Sequence, residues 1–123
     1  MNVIHGKVST GMGEGQYYLS REGYRSQFRK KLGFVPFPGT LNIKLDKPFV
    51  PSIEPIKIMG FSDEGKTFGG CLCYRIKING IKAAIVRPDR SSYPSDLIEI
   101  IAPISIRDSL GLSEGDEVEV TLD

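Results

Sequence analysis

Apolar and polar positions alternate along most of this chain, and the alternation gives way once to a helical period. Val3 to Thr10 places Val3, His5, Lys7 and Ser9 on one face and Ile4, Gly6, Val8 and Thr10 on the other, which predicts a first strand. From Arg21 to Leu32 the period lengthens. Tyr24, Phe28 and Leu32 recur at four-residue spacing while Arg21, Arg25, Arg29, Lys30 and Lys31 occupy the remainder, an amphipathic helix. Gly33 directly after Leu32 suits the left-handed residue that ends helices, and the cations of the last turn suit the helix dipole. Leu41, Ile43 and Leu45 then alternate with Asn42 and Lys44 in a half-buried strand. Ile56 to Phe61, Thr67 to Ile78 and Ile81 to Val86 predict a three-stranded meander, turning at Ser62 to Lys66 and at Asn79-Gly80, the strongest hairpin signal in the chain. Asp96 to Pro103 reads as a central strand interrupted by Glu99, Ile104 to Leu110 as a short helix ending at Gly111, and Glu117 to Leu122 as a closing strand. Roughly seven short strands and two helices predict a mainly β fold, a closed or nearly closed barrel rather than a doubly wound sheet.

Composition narrows the class. A chain of 123 residues is one domain by length, 1–123, large enough for a single core without metal or disulfide staples. Sixteen basic and fifteen acidic residues, net charge +1, argue against a dedicated nucleic-acid binder. No apolar run approaches a membrane span, and Met1 to Gly6 lacks the layout of a signal peptide, so the expected compartment is the cytoplasm and no membrane partner is expected. Cys71 and Cys73 stand too close in sequence for an easy disulfide and have no second pair for a zinc site; they are expected as small packed side chains. His5 and Asp89 have no spacing to a metal site or triad and are expected as structural or solvated.

Candidate chemistry gathers in four stretches. Gly33 to Asn42, Gly-Phe-Val-Pro-Phe-Pro-Gly-Thr-Leu-Asn, is stiffened by Pro36 and Pro38 and delivers Thr40 and Asn42 to one face of a beginning strand. A hydroxyl and an amide carbonyl side by side suit a hard cation. Gly11-Met12-Gly13-Glu14-Gly15 is either a hairpin loop or a turn whose free N–H groups gather an anion; no Gly-Lys-Ser/Thr follows, so it is not a Walker loop. Arg87 to Ser95 is a polar, turn-rich loop between two strong strands, a common place for function. Glu99, inside an apolar run, either faces outward or is held inward for a purpose.

Taken together, Gly11 to Leu19, Leu32 to Asn42, Ala84 to Pro88, and Ile98 to Arg107 with Leu110-Gly111-Leu112 and Gly115-Asp116 resemble the CTP-dependent riboflavin kinases of archaea. The resemblance runs from residue 6 to the carboxyl terminus. It implies a small six-stranded cradle-loop β-barrel with one amphipathic helix and a short C-terminal helix, and transfer of the γ-phosphate of CTP to the 5′-hydroxyl of riboflavin, giving FMN and CDP. By position it implies that Met12, Gly13, Glu14, Gly15, Gln16 and Tyr17 wrap the nucleotide and its phosphates, and that Ile104, Ser105, Ile106 and Arg107 read the nucleotide. It further implies Mg²⁺ on Thr40 and Asn42, flavin contacts from Ser91 and Glu99, and Glu99 as orienter or general base for the attacking hydroxyl. Phe34, Phe37 and Tyr93 are candidates to line an isoalloxazine pocket, or else they plug the barrel mouth. The expected partners are riboflavin/FMN and CTP/CDP, without nucleic acid, and the expected state is a monomer. Two other readings remain: a DNA-binding barrel using the basic helix Arg21 to Lys31, and a flavin-binding module without phosphoryl transfer.

Overall fold

The computed structural model describes residues 2–10, 18–89 and 94–122. Within them the chain forms β1 (Asn2–Ser9), α1 (Glu22–Leu32), β2 (Leu41–Leu45), β3 (Ile56–Ile58), β4 (Phe61–Asp63), β5 (Lys66–Phe68), β6 (Cys71–Ile78), β7 (Ile81–Pro88), β8 (Leu97–Ile101), α2 (Ile106–Leu110) and β9 (Glu117–Leu122). Six of the strands close into an antiparallel barrel in the order β6-β7-β8-β2-β1-β9, and β9 returns to β6 through Ile76↔Leu122 and Lys77↔Thr121. Beyond that closure, β3 pairs with the first half of β6. The predicted barrel is therefore present, with closure removing the unpaired edges that an open sheet would expose.

Alternation sorts the side chains into two cores. Val8, Ile43, Ile76, Ile85, Ile98 and Val120, one from each strand of the ring, fill the barrel interior. The second core lies outside, where Tyr24, Phe28 and Leu32 of α1 cover Cys71, Cys73, Val86 and Ile101. These are the helix positions that the four-residue spacing marks as apolar. At the end of α1, Gly33 takes φ 87° and its N–H reaches the Phe28 and Arg29 carbonyls. The Arg75 guanidinium reaches across from β6 to cap the same end, donating to Leu32 O at 3.1 Å and to Lys31 O at 2.6 Å.

The meander departs from its predicted form. Two long strands were expected where the chain instead breaks near Gly60 and again at Gly69-Gly70. The backbone around Gly60 runs so close to its neighbour that a Cβ there would collide with the Phe68 carbonyl and stand 3.2 Å from the Gly69 carbonyl carbon. That approach lets β4 and β5 leave the barrel as a separate ribbon. The ribbon carries Phe61 and Phe68 to the Tyr24 ring, at centroid distances of 4.8 and 6.5 Å. A period-2 pattern cannot show such a departure, because both routes alternate. The short helix also begins later than expected, at Ile106, with the Ser105 hydroxyl accepting the Asp108 N–H at 3.2 Å.

Cys71 and Cys73 are free and buried, and their mutual hydrogen bond together with burial pushes the Cys73 thiol well above its ordinary range. His5 is exposed beside Glu119 at 3.1 Å, and Asp89 is exposed. Among the described residues, no helix is long and apolar enough to cross a membrane.

Candidate active site

Strand register decides which polar groups meet. Ser9, Asn42, Glu99, Val86, Cys73 and Ile56 stand directly opposite one another across β1, β2, β8, β7, β6 and β3, one continuous row over the outer face of the sheet. The row has two halves. Val86 and Cys73 are buried against α1, with Ile56 packed at the edge of that core. The other half, Ser9, Asn42 and Glu99, is polar. Asn42 sits between Leu41 and Ile43, and Glu99 between Ile98 and Ile100; all four neighbours belong to the barrel core. Period-2 geometry therefore turns both polar side chains outward, roughly 5 Å apart at Cβ as direct cross-strand neighbours.

Outward does not mean exposed. Glu99 is 0% exposed, the one buried charged residue among those described. The amide oxygen of Asn42 is buried without a hydrogen-bond partner among the described residues. An acceptor held in this way costs about 1–3 kcal/mol until a water or a ligand serves it. Two positions further along the same face of β2, the Lys44 ammonium meets Asp96 at 2.6 Å, and that hydrogen bond holds the Asp96 carboxyl below its ordinary range.

Thr40 stands at the end of the proline-stiffened segment that precedes β2. Pro36 is buried, the Phe37 N–H donates to Ala102 O at 2.7 Å, and the Gly39 N–H donates to Phe37 O at 2.7 Å. The segment is thus tied at one end to α1 and in its middle to the end of β8. Between it and the β8–α2 connection lies a cavity of about 190 Å³, lined by Phe37, Thr40, Ile104, Ser105, Ile106 and Arg107 and floored by core side chains including Leu41 and Ile100. The structure therefore brings Thr40 together with all four residues expected to read a nucleotide, and Asn42 together with Glu99. Residues 12–17 and Ser91, expected at the phosphates and the flavin, lie outside the described residues, as does Tyr93. Phe34 packs against the α1 core and not in the cavity.

Two features escape the sequence reading. Ser9 joins Asn42 only through the β1–β2 register. Arg87, at the end of β7, lies over the Phe49 ring at 5.3 Å, with Nη2 buried and unpartnered among the described residues. Its positive charge works against the burial that raises the neighbouring Tyr74 phenol. The sequence marks Arg87 only as a member of the stretches Ala84 to Pro88 and Arg87 to Ser95, without singling out its side chain. The basic helix is partly committed to the fold: Lys31 donates to Lys57 O at 2.7 Å, Arg25 to Leu19 O at 3.4 Å, and Arg29 meets Glu22 at 3.7 Å.

Comparison with known proteins points in one direction. Residues 8–122 match the family profile named for the CTP-dependent riboflavin kinase and described as "Domain of unknown function DUF120". A riboflavin kinase of Methanocella arvoryzae is 63% identical over 122 residues, which is 98% of this chain and 57% of that protein. Riboflavin kinases of Methanosarcina acetivorans and Pyrobaculum aerophilum are 51% and 49% identical, over 94% and 95% of this chain and 51% and 59% of their own lengths. The chain thus spans little more than half the length of these curated relatives.

Proposed function

The chain belongs to the CTP-dependent riboflavin kinase family, and from that premise we propose that it transfers the γ-phosphate of CTP to the ribityl 5′-hydroxyl of riboflavin, giving FMN and CDP. The observation that carries the reading is the pairing of Asn42 with Glu99 across β2 and β8, beside a cavity that joins Thr40 to Ile104, Ser105, Ile106 and Arg107. Phosphoryl transfer asks little covalent chemistry of a protein; it asks for placement and for stabilisation of charge. A ring of paired strands supplies the placement.

Within this reading, Thr40 and Asn42 would hold a Mg²⁺. The fit rests on the amide oxygen of Asn42, buried and unpartnered among the described residues, and on the neutrality of the pair, since Mg²⁺ keeps waters and takes few protein oxygens when phosphates complete its shell. When bound, the ion would neutralise charge on the phosphate oxygens. Glu99 accepts the hydrogen bond of the attacking hydroxyl and takes its proton as the new P–O bond forms and the bond to CDP breaks. Its burial keeps competing water from the carboxylate. Ile104 to Arg107 hold the nucleoside. Residues 12–17 and Ser91 keep the nucleotide and flavin roles that the resemblance implies. The protein works in this proposal as a cytoplasmic monomer without nucleic acid.

A nucleotide panel tests the proposal. The protein is incubated with riboflavin, Mg²⁺ and CTP, UTP, ATP or GTP in turn, and FMN is separated by chromatography. FMN formed fastest with CTP is the expected result. No FMN with any nucleotide refutes the reading, and FMN with ATP alone refutes the donor assignment.

A further inference from the structure

The cavity beside Thr40 has a property that phosphate or metal binding does not use. Phe37 and Ile104 are among the few large apolar side chains left exposed, at 39% and 45%, and both line it. The floor beneath them is buried core, Leu41, Ile100, Ala102 and Ile106, so the cavity is an apolar slot with polar groups of Thr40, Ser105 and Arg107 at its wall. Phe37 is also held in place: its N–H is bonded to Ala102 O at 2.7 Å, and a Cβ on Gly39 would stand 3.2 Å from the ring. A fixed aromatic face over an apolar floor suits a flat heteroaromatic ring.

Size decides which ring. Sites for drug-sized ligands run to about 300–1,000 Å³, and this cavity is about 190 Å³. The three fused rings of isoalloxazine exceed it, whereas the single ring of a pyrimidine does not. Glu99, expected at the flavin, is absent from its lining. We propose that Phe37, with Ile104, is the stacking platform for the pyrimidine base of the nucleotide, and that it belongs to the donor half of the site and not to the flavin half. The proposal rests on the kinase reading for the identity of the nucleotide. Phe37, a candidate from the sequence for the isoalloxazine pocket or the barrel mouth, is thereby assigned to the nucleotide.

The experiment separates the two halves. CDP binding is measured by calorimetry and riboflavin binding by quenching of flavin fluorescence, in the wild type and in Phe37→Ala, Phe37→Leu and Phe37→Tyr, with KM for CTP and for riboflavin taken alongside. Base stacking is lost on truncation by about 1–3 kcal/mol, or about 5- to 150-fold in affinity. Phe37→Ala is therefore expected to raise the Kd for CDP and the KM for CTP by that factor, while the Kd for riboflavin stays within about twofold. Phe37→Leu keeps apolar volume and removes the ring face, so it is expected to keep the wild-type melting temperature and still lose CDP affinity. Phe37→Tyr is expected to bind CDP as the wild type does. Weakened riboflavin with unchanged CDP overturns the proposal, as does a Phe37→Leu protein that binds both ligands normally. FMN formation with CDP binding indifferent to Phe37 overturns the stacking role alone. CDP binding sensitive to Phe37 with no FMN formed overturns the kinase reading alone.

Discussion

Replacing Asn42 by leucine should stabilise the empty protein and disable it. The two side chains have the same heavy-atom connectivity, so the substitution chiefly replaces a half-buried amide between β1 and β8 by a somewhat larger apolar group. In the wild type the Asn42 amide oxygen is buried and without a partner among the described residues. Such an acceptor costs about 1–3 kcal/mol, and leucine removes that cost while improving the fit to a strand. At about 2.1 cal/mol/K of unfolding entropy per residue, a chain of 123 residues gains about 4 °C in Tm for each ~1 kcal/mol. The expected result in buffer without ligand is a rise of about 4–8 °C, at the lower end of that cost range, read by scanning calorimetry. If the protein binds Mg²⁺ with CTP as proposed, the same variant should lose most of the stabilisation those ligands would confer. A ligand at about one hundred times its Kd contributes about 2.7 kcal/mol, or roughly 10 °C here. A lower Tm for the ligand-free variant would show that the amide makes a contact in the folded protein. An unchanged Mg²⁺-dependent shift would remove Asn42 from the cation site.

Glu99→Gln preserves shape and hydrogen-bonding reach but cannot take a proton, so kcat should fall by about 10²- to 10⁴-fold, about 2.7–5.4 kcal/mol of barrier, with riboflavin affinity nearly unchanged. Near-normal turnover would take Glu99 out of the chemistry. Arg75→Ala removes two hydrogen bonds to the last carbonyls of α1 and should lower Tm by about 4 °C, for a loss of about 1 kcal/mol. Arg75→Lys should recover part of it, and an alanine variant as stable as the wild type would mean that Gly33 alone suffices as a cap.

Much of the fold could be read in advance because its determinants are local. The spacing of Tyr24, Phe28 and Leu32 predicts which face of α1 is buried, and Asn79-Gly80 predicts the turn that the chain makes, with Asn79 at φ 50° and Gly80 at φ 82°. The β4–β5 ribbon was not legible, because it depends on the backbone of Gly60 passing beside Phe68, a contact between segments. The site divides along the same line. Thr40 and Asn42 share a face by their spacing alone, so a cation site there could be argued from two residues. Whether Glu99 faced outward or was held inward could not be settled, and the structure makes the two alternatives one: it points out of the barrel and is nevertheless fully buried. Arg87 and Ser9 owe their positions to strands distant in sequence, and nothing in their immediate neighbours announces them.

Closure of the barrel has a consequence for how this site can vary. β2 and β8, which carry Asn42 and Glu99, each have a hydrogen-bonded neighbour on both sides, β1 beyond β2 and β7 beyond β8. Neither strand can slide to retune the distance between the two side chains. A slip of β8 by one residue would set Ile98 or Ile100 against Asn42 and turn Glu99 into the core, so the register that fills the barrel with Ile98 and Ile100 is the register that aims Glu99 outward. Fold stability and site geometry are therefore fixed by the same set of contacts. Adaptation to another donor or acceptor must then come from the segments that the ring does not constrain: the connection bearing Phe37 and the residues around Ile104.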